Sequence, residues 1–182
     1  MPELTPRHLT LKTVPTPGFK DKSRRLIWQI VEATLYRWSP VPAHGWRRFL
    51  LRLFGATVAK GAHPYPSARI WAPWNLRLGA VSSLGPRVIC YSVGPITVED
   101  YVTVSQGVHL CAATHDYRNP AFPLVVGAIW IEAGAWIAAD AFIGPGVRVG
   151  REAIVGARSV VTKDVSDRAI VVGNPSRQIA SR

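Results

Sequence analysis

From Val98 onward the chain places a large aliphatic residue at every sixth position, and this period limits the fold more than any other feature of the sequence. The slots are Val98, Val104 and Leu110, then Ile131, Ile137, Ile143, Val149, Val155 and Val161. Val, Ile and Leu make up about a quarter of the chain, so nine such slots in a row have chance odds on the order of 10⁻⁵. Four residues after each slot the side chain is small or β-branched: Val102, Val108, Thr114, Ala135, Ala141, Val147, Ala153, Ser159 and Val165. A helix repeats near 3.6 residues and a strand near two, so a period of six means a short strand followed by a tight corner. The large aliphatic points inward from a flat face, and the small residue fits inside the corner. Three such units close a triangular coil, and coils stack through backbone hydrogen bonds about 4.8 Å apart. Gly144, Gly150 and Gly156, each just after an aliphatic slot, relieve crowding or supply unusual backbone angles. The expected fold is therefore all-β, a parallel β-helix of five or six coils. An upstream register, Leu78, Leu84, Cys90 and Ile96, slips by two residues before Val98.

The period stops at Thr114 and resumes at Ile131. Residues 115–128, HDYRNPAFPLVVGA, contain Pro120 and Pro123, which keep this segment out of the ladder as an extruded loop. Upstream, Pro2, Pro6, Pro15 and Pro17 predict an extended arm over residues 1–22. Residues 23–37 carry helical spacing (Leu26, Ile27, Ile30, Val31, Leu35) behind a possible Ser23 cap, and residues 44–54 predict a second short helix. That helix has an apolar face of Trp46, Phe49, Leu50, Leu53 and Phe54 and a basic face of Arg47, Arg48 and Arg52. Two readings stand for the pair: a cap over one open end of the solenoid, or an amphipathic surface that touches anionic lipid. The expected organisation is an arm and helical cap over 1–57, the β-helix over 58–173 and a tail over 174–182.

A net charge of +11 favours an anionic partner, whether a phosphorylated cofactor, a nucleotide-linked substrate or an anionic membrane face. Nucleic acid is disfavoured, because no recognition-helix, RNP or OB pattern is present. Cys90 and Cys111 have no zinc-ligand spacing and read as reduced packing residues. His109 and His115 fall on different faces, and with His63 they make a poor metal set, so no metal is expected. The N-terminus lacks the apolar run of a secretory signal and no stretch reaches membrane-span length, so the expected location is cytoplasmic, peripheral to the membrane at most.

The segments PSARIWAPWNLRLG (66–79), GPITVEDYVTVSQGVHLCAATHDYRNPAFPL (94–124), WIAADAFIGPGVRVG (136–150), VGARSVVTKDV (155–165) and VGNPSRQI (172–179) resemble the hexapeptide-repeat acyltransferases. Among these the resemblance is strongest to polysaccharide O-acetyltransferases of the colanic-acid-biosynthesis type. It implies a left-handed β-helix, a homotrimer, and acetyl-CoA lying between two subunits' β-helices. It implies His115, in the THD motif, as the base that activates a sugar hydroxyl. It assigns Trp136 and Ala139 to the cleft wall and the thioester. It assigns Ala157, Thr162 and Lys163 to cofactor contacts, and Arg177 to the adenosine phosphates. Some sugar acetyltransferases of this class hold the acceptor with an Asn about thirty residues before the histidine; Asn75 is the nearest candidate here. Asp116 and Tyr117, next to the base, complete the expected acceptor side.

The chemistry suits these residues. An alcohol is a poor nucleophile while protonated, and imidazole accepts a proton at neutral pH and returns it to the leaving thiolate. No nucleophile-elbow pattern is present, so direct transfer without an acyl-enzyme is expected. Asp116 neighbours His115 on an extended chain, where successive side chains diverge, and it reads as a loop former. The expected function is O-acetylation of a saccharide, lipid-linked or nucleotide-linked, in surface or exopolysaccharide synthesis. The alternatives are acetylation of a small molecule (serine, an antibiotic, a free oligosaccharide) and a non-catalytic scaffold.

Overall fold

The computed structural model of the chain describes residues 11–13 and 18–182. Each solenoid coil lays one short strand on each of three faces. Face 1 stacks Thr57–Val58, Leu76–Leu78, Ile96–Val98, Ile129–Ile131 and Arg148–Val149. Face 2 stacks His63–Pro64, Ser83–Leu84, Thr103–Val104, Trp136–Ile137, Ile154–Val155 and Ala169–Val172; face 3 stacks Arg69–Ile70, Ile89–Tyr91, His109–Cys111, Phe142–Ile143 and Val160–Val161. Every pairing between coils on these faces is parallel.

The aliphatic slots form the core. Val98, Val104, Leu110, Ile131, Ile137, Ile143, Val149, Val155 and Val161 are all at most 1% exposed. The small-residue slots are buried too, except Thr114, which lies beyond the last regular corner. The two-residue slip has a structural cause. Thr57 pairs with Arg77, and Leu76 with Ile96, so the early coils run longer than the later ones, where Trp130 pairs with Arg148. The extra residues sit at the corner after face 3, as a 3₁₀ turn at Pro73–Asn75 in one coil and around Val93–Pro95 in the next. The third coil extrudes its loop from the same corner. Gly144 and Gly156 answer to crowding: a Cβ on Gly156 would lie 2.7 Å from Val172 Cγ1, and one on Gly144 3.2 Å from the Val161 carbonyl. Neither has a positive φ; other corner residues, including Val81, Tyr101, Asp140 and Arg158, take the left-handed conformation.

The N-terminal segment differs from expectation in detail. Helix α1 spans Phe19–Val31, four residues earlier at its start, and the Ser23 hydroxyl donates back to the Phe19 carbonyl instead of capping. A π-helical turn, Glu32–Tyr36, follows, and α2 spans His44–Leu53. The four arm prolines lie outside the described residues, but Lys12–Thr13 forms a strand antiparallel to Leu124–Val126 of the extruded loop. At the other end, Arg177–Ser181 folds back antiparallel on Ala169–Val172.

The largest correction concerns how α2 faces the solenoid. Its arginines point inward and much of its apolar face points out: Arg47 is fully buried, while Trp46, Phe49 and Leu53 are exposed. The cause is the open end of the first coil. In a parallel ladder alternate residues turn their backbone groups to one neighbour. Ala59, His63, Tyr65, Arg69 and Trp71 bond the second coil. The carbonyls of Val58, Ala62, Pro64 and Ile70 face the empty side and need donors. Arg52 supplies Val58 (2.8 and 2.6 Å), Arg48 supplies Ala62 (2.8 Å), Arg47 Nε supplies Pro64 (2.7 Å) and the Trp28 indole supplies Ile70 (2.6 Å). Glu32 accepts the Ile70 N–H at 2.7 Å. The remaining Arg47 nitrogens reach Ser39 Oγ and the carbonyls of Pro40 and Val41. Leu50 and Leu51 bury beside Trp28 and Tyr36 in the same core cluster.

Candidate active site

The extruded segment is a hairpin. Ala113–His115 pairs antiparallel with Leu124–Val126, and Lys12–Thr13 adds a third strand. This small sheet lifts His115 out of the corner between faces 3 and 1, with its side chain exposed. Two contacts hold the ring. It stacks on Phe122 with centroids 4.6 Å apart and planes 6° from parallel. His115 Nδ1 lies 2.8 Å from the Phe122 carbonyl oxygen. A carbonyl only accepts, so Nδ1 is the donor, and in the neutral ring Nε2 is the nitrogen that offers a lone pair to an incoming group. Phe122 takes a left-handed φ of +47°, which costs about 1–2 kcal/mol for a residue with a Cβ. The turn is held by Phe122 N–H to Asn119 (2.8 Å), by Asn119 Oδ1 accepting from Ala121 N–H, and by Asp116 N–H to Pro123.

Asp116 is a loop former: its Oδ1 accepts from Arg118 N–H at 3.0 Å, and the ring of His115 is oriented by Phe122. Tyr117 stands at the loop tip, 76% exposed. Asn75 occupies the same corner two coils earlier, and both contacts of its amide are structural, to the carbonyls of Ser92 and Val93 at 2.9 Å. Thr162 and Lys163 are exposed at this corner as well, two coils later.

The other expected residues lie elsewhere on the prism. Trp136 is on face 2, half-exposed, its indole N–H donated to Ser105 Oγ at 3.0 Å. Ala139 and Ala157 sit at the corner between faces 2 and 3, where Arg158 N–H meets the Ala139 carbonyl. Arg177 opens the C-terminal strand beside Val172. One chain therefore gathers His115, Asp116, Tyr117, Asn75, Thr162 and Lys163 along one edge, and Trp136, Ala139, Ala157 and Arg177 along another.

A groove of about 580 Å³ runs between α1, the π-turn and face 3, lined among others by Glu32, Arg37, Trp71, Tyr91, His109 and Cys111. Trp71 and Tyr91 form an aromatic wall, centroids 5.3 Å apart, with the Arg25 guanidinium 4.8 Å above Trp71. Burial lowers the His109 pKa from its ordinary value and pushes the Cys90 thiol up to about 12, so neither is primed as a cation or a nucleophile. Among the described residues no three His, Cys, Asp or Glu side chains converge on a metal position. Sequence reasoning missed Phe122, whose role rests on a backbone carbonyl and a turn conformation. It also missed the Trp71–Tyr91 wall, which arises only when successive coils stack.

A triangular parallel solenoid with a histidine-bearing hairpin thrown from one corner is the architecture of a hexapeptide-repeat transferase. The family model "Bacterial transferase hexapeptide (six repeats)" matches residues 128–163. The protein of Escherichia coli (strain K12) named as the colanic acid biosynthesis acetyltransferase WcaF is 39% identical over 156 residues, 86% of each chain. A hexapeptide-repeat acetyltransferase of Vibrio cholerae O1 biovar eltor, solved with acetyl coenzyme A, is 27% identical, with a TM-score of 0.79 over 90% of both chains. A maltose O-acetyltransferase of Clostridium difficile 630 shares the fold at 23% identity, with a TM-score of 0.82 over 96% of this chain and 95% of that one. The chain belongs to the hexapeptide-repeat acetyltransferase family, and its solenoid is the left-handed β-helix of that family.

Proposed function

We propose that the protein transfers an acetyl group from acetyl-CoA to a hydroxyl of a saccharide, with His115 as general base. The observation that carries this reading is the fixed tautomer of His115. Its Nδ1 is committed to the Phe122 carbonyl, and its ring is clamped by stacking. Nε2 is thus a directed acceptor that needs no reorganisation. Nε2 takes the hydroxyl proton as that oxygen bonds the thioester carbonyl carbon. A backbone N–H near Ala139 donates to the oxyanion. The carbon–sulfur bond then breaks, and the proton passes from Nε2 to the CoA thiolate, giving an acetyl ester and free CoA.

The chain's residues fit the donor. Ala139 and Ala157 leave space for a pantetheine arm, the indole of Trp136 offers a flat wall, and Lys163 and Arg177 are exposed cations suited to phosphates. Trp136, Ala139, Ala157 and Arg177 lie along a different edge from His115 and Lys163, which supports a site built between two copies, hence a closed trimer. On the acceptor side, the aromatic groove ends at Cys111, four residues before His115. Its Trp71–Tyr91 wall suits the apolar face of a sugar ring, and Asp116 and Tyr117 are carried on the hairpin that follows Cys111. The name of the Escherichia coli relative, a colanic acid biosynthesis acetyltransferase, supports an acceptor from polysaccharide synthesis.

The test is thiol release from acetyl-CoA across lipid-linked, nucleotide-linked and free saccharide acceptors. His115→Ala should lower kcat by about 10²–10⁴-fold with acetyl-CoA binding retained. Equal turnover by wild type and variant would remove His115 from the chemistry. No calorimetric binding of CoA to the wild type would remove the acetyl-transfer reading altogether.

A further inference from the structure

The capping role of the arginines leaves the helix pair inside out. On α1, Leu26, Ile27 and Ile30 are exposed; on α2, Trp46, Phe49 and Leu53, at i, i+3 and i+7, form an outward stripe. Phe19 is 85% exposed and Trp38 83%. Of the nineteen large apolar side chains exposed among the described residues, ten lie within residues 19–53. The two helices present them together, since the Trp46 indole donates to the Leu35 carbonyl across the gap (3.0 Å) and stacks on Phe49. Such a concentration marks a surface that something covers.

Charge selects the occupant. Residues 18–60 carry nine Lys and Arg against two acidic residues; Arg47, Arg48 and Arg52 turn inward onto the first coil and Glu32 onto Ile70 N–H, which leaves six cations against Asp21. Lys20, Lys22, Arg37 and Lys60 are exposed on the same segment. A second copy would bring this excess positive charge against itself, whereas an acidic lipid surface complements it. Tryptophans combine an apolar ring with a hydrogen-bonding edge, which suits headgroup depth. The helices lie along the surface and do not cross: no described helix is long and apolar enough to span a bilayer.

We infer that the outer face of α1, the π-turn and α2 is a docking surface for an anionic bilayer, with Phe19, Trp38, Trp46 and Leu53 seated in the interfacial layer. The first coil then lies nearest the lipid, and the solenoid extends away from it. This surface is independent of the acetyl-transfer chemistry.

The full chain, in its native oligomeric state, is sedimented with phosphatidylcholine vesicles with or without phosphatidylglycerol. The wild type should pellet with the anionic vesicles at least about tenfold more than with the neutral ones. Trp38→Glu with Phe49→Glu, both at exposed positions, should abolish pelleting while melting temperature and oligomeric state stay unchanged. His115→Ala should pellet like the wild type, so loss of catalysis and loss of docking are read apart. A wild type left in the supernatant overturns the inference, as does a double variant that pellets equally well. A double variant whose oligomer dissociates also overturns it and assigns the face to contacts between copies.

Discussion

Phe122 holds His115 without touching it through any side-chain polar group. Its carbonyl sets the proton on Nδ1 and its ring sets the plane of the imidazole, so the pair behaves as one unit. Phe122→Gly separates the two contributions. Glycine adopts the left-handed φ without penalty, and its greater freedom in the unfolded chain offsets the relief. Thermal stability should therefore change by no more than about 1 kcal/mol. With the stacking surface gone the ring is free to turn, and kcat should fall about tenfold with little change in KM for acetyl-CoA. Single-turnover kinetics and a melting curve on the same preparation check both halves. Unchanged kcat would mean that the carbonyl alone orients the imidazole.

At the scale of elements, the first coil and its helical cap meet through charged side chains in place of strands. Arg47 is buried without a carboxylate partner among the described residues; backbone carbonyls, the Ser39 hydroxyl and His44 surround its guanidinium. Arg47→Ala strips the donor from the buried Pro64 carbonyl and from the half-buried Pro40 and Val41 contacts at once and leaves a cavity, so a loss of about 3–5 kcal/mol is expected, roughly a 10 °C fall in Tm. Arg48→Ala, half-buried and with a single carbonyl partner, should cost about 1 kcal/mol. Glu32 gives a pH signature. Burial raises its pKa above the ordinary carboxylate value, against the lowering effect of the Ile70 N–H bond and nearby Arg69 and Arg37. A raised carboxyl pKa contributes stability at acid pH that is lost as pH rises through the folded-state value. Glu32→Gln keeps an acceptor for Ile70 N–H without the charge, so the variant's Tm should gain on the wild type between pH 4 and pH 7. A gap independent of pH would mean that Glu32 titrates alike in the folded and the unfolded chain.

These elements also show where the sequence is readable. The coil core was legible because a period of six recurs with one residue class per slot, and all nine slots are buried. The hairpin was legible as an interruption, and the THD text marked His115. The orientation of α2 was not legible. Helical periodicity shows that two faces differ, but which face turns inward depends on what the solenoid offers, and here it offers carbonyls before apolar surface. The two edges that carry the expected site residues were equally hidden, because spacing along a repeat gives a coil number and leaves the neighbouring copy out.

For the whole molecule, that division of residues between two edges makes a measurable demand. If one copy supplies His115 and its neighbour supplies the wall near Ala139, then His115→Ala and Ala139→Trp, each inactive alone, should complement after mixed refolding. In a closed trimer with random assortment, about a quarter of the sites regain both intact halves. Activity of the mixture near that fraction supports a shared site; none at all would place all the chemistry within one chain. Light scattering of the wild type should report three times the 19.9 kDa chain mass.

Both termini of the stack are closed, each by its own device. The entry side ends in guanidinium and indole donors, and the exit side in the reversed strand Arg177–Ser181. A bare solenoid rim is a template for head-to-tail growth, since each layer presents the hydrogen-bonding groups that the next one needs. Sealing the rims fixes the number of layers and makes the particle finite: only the sides of the prism are left where copies could meet, and fibres are denied a place to begin.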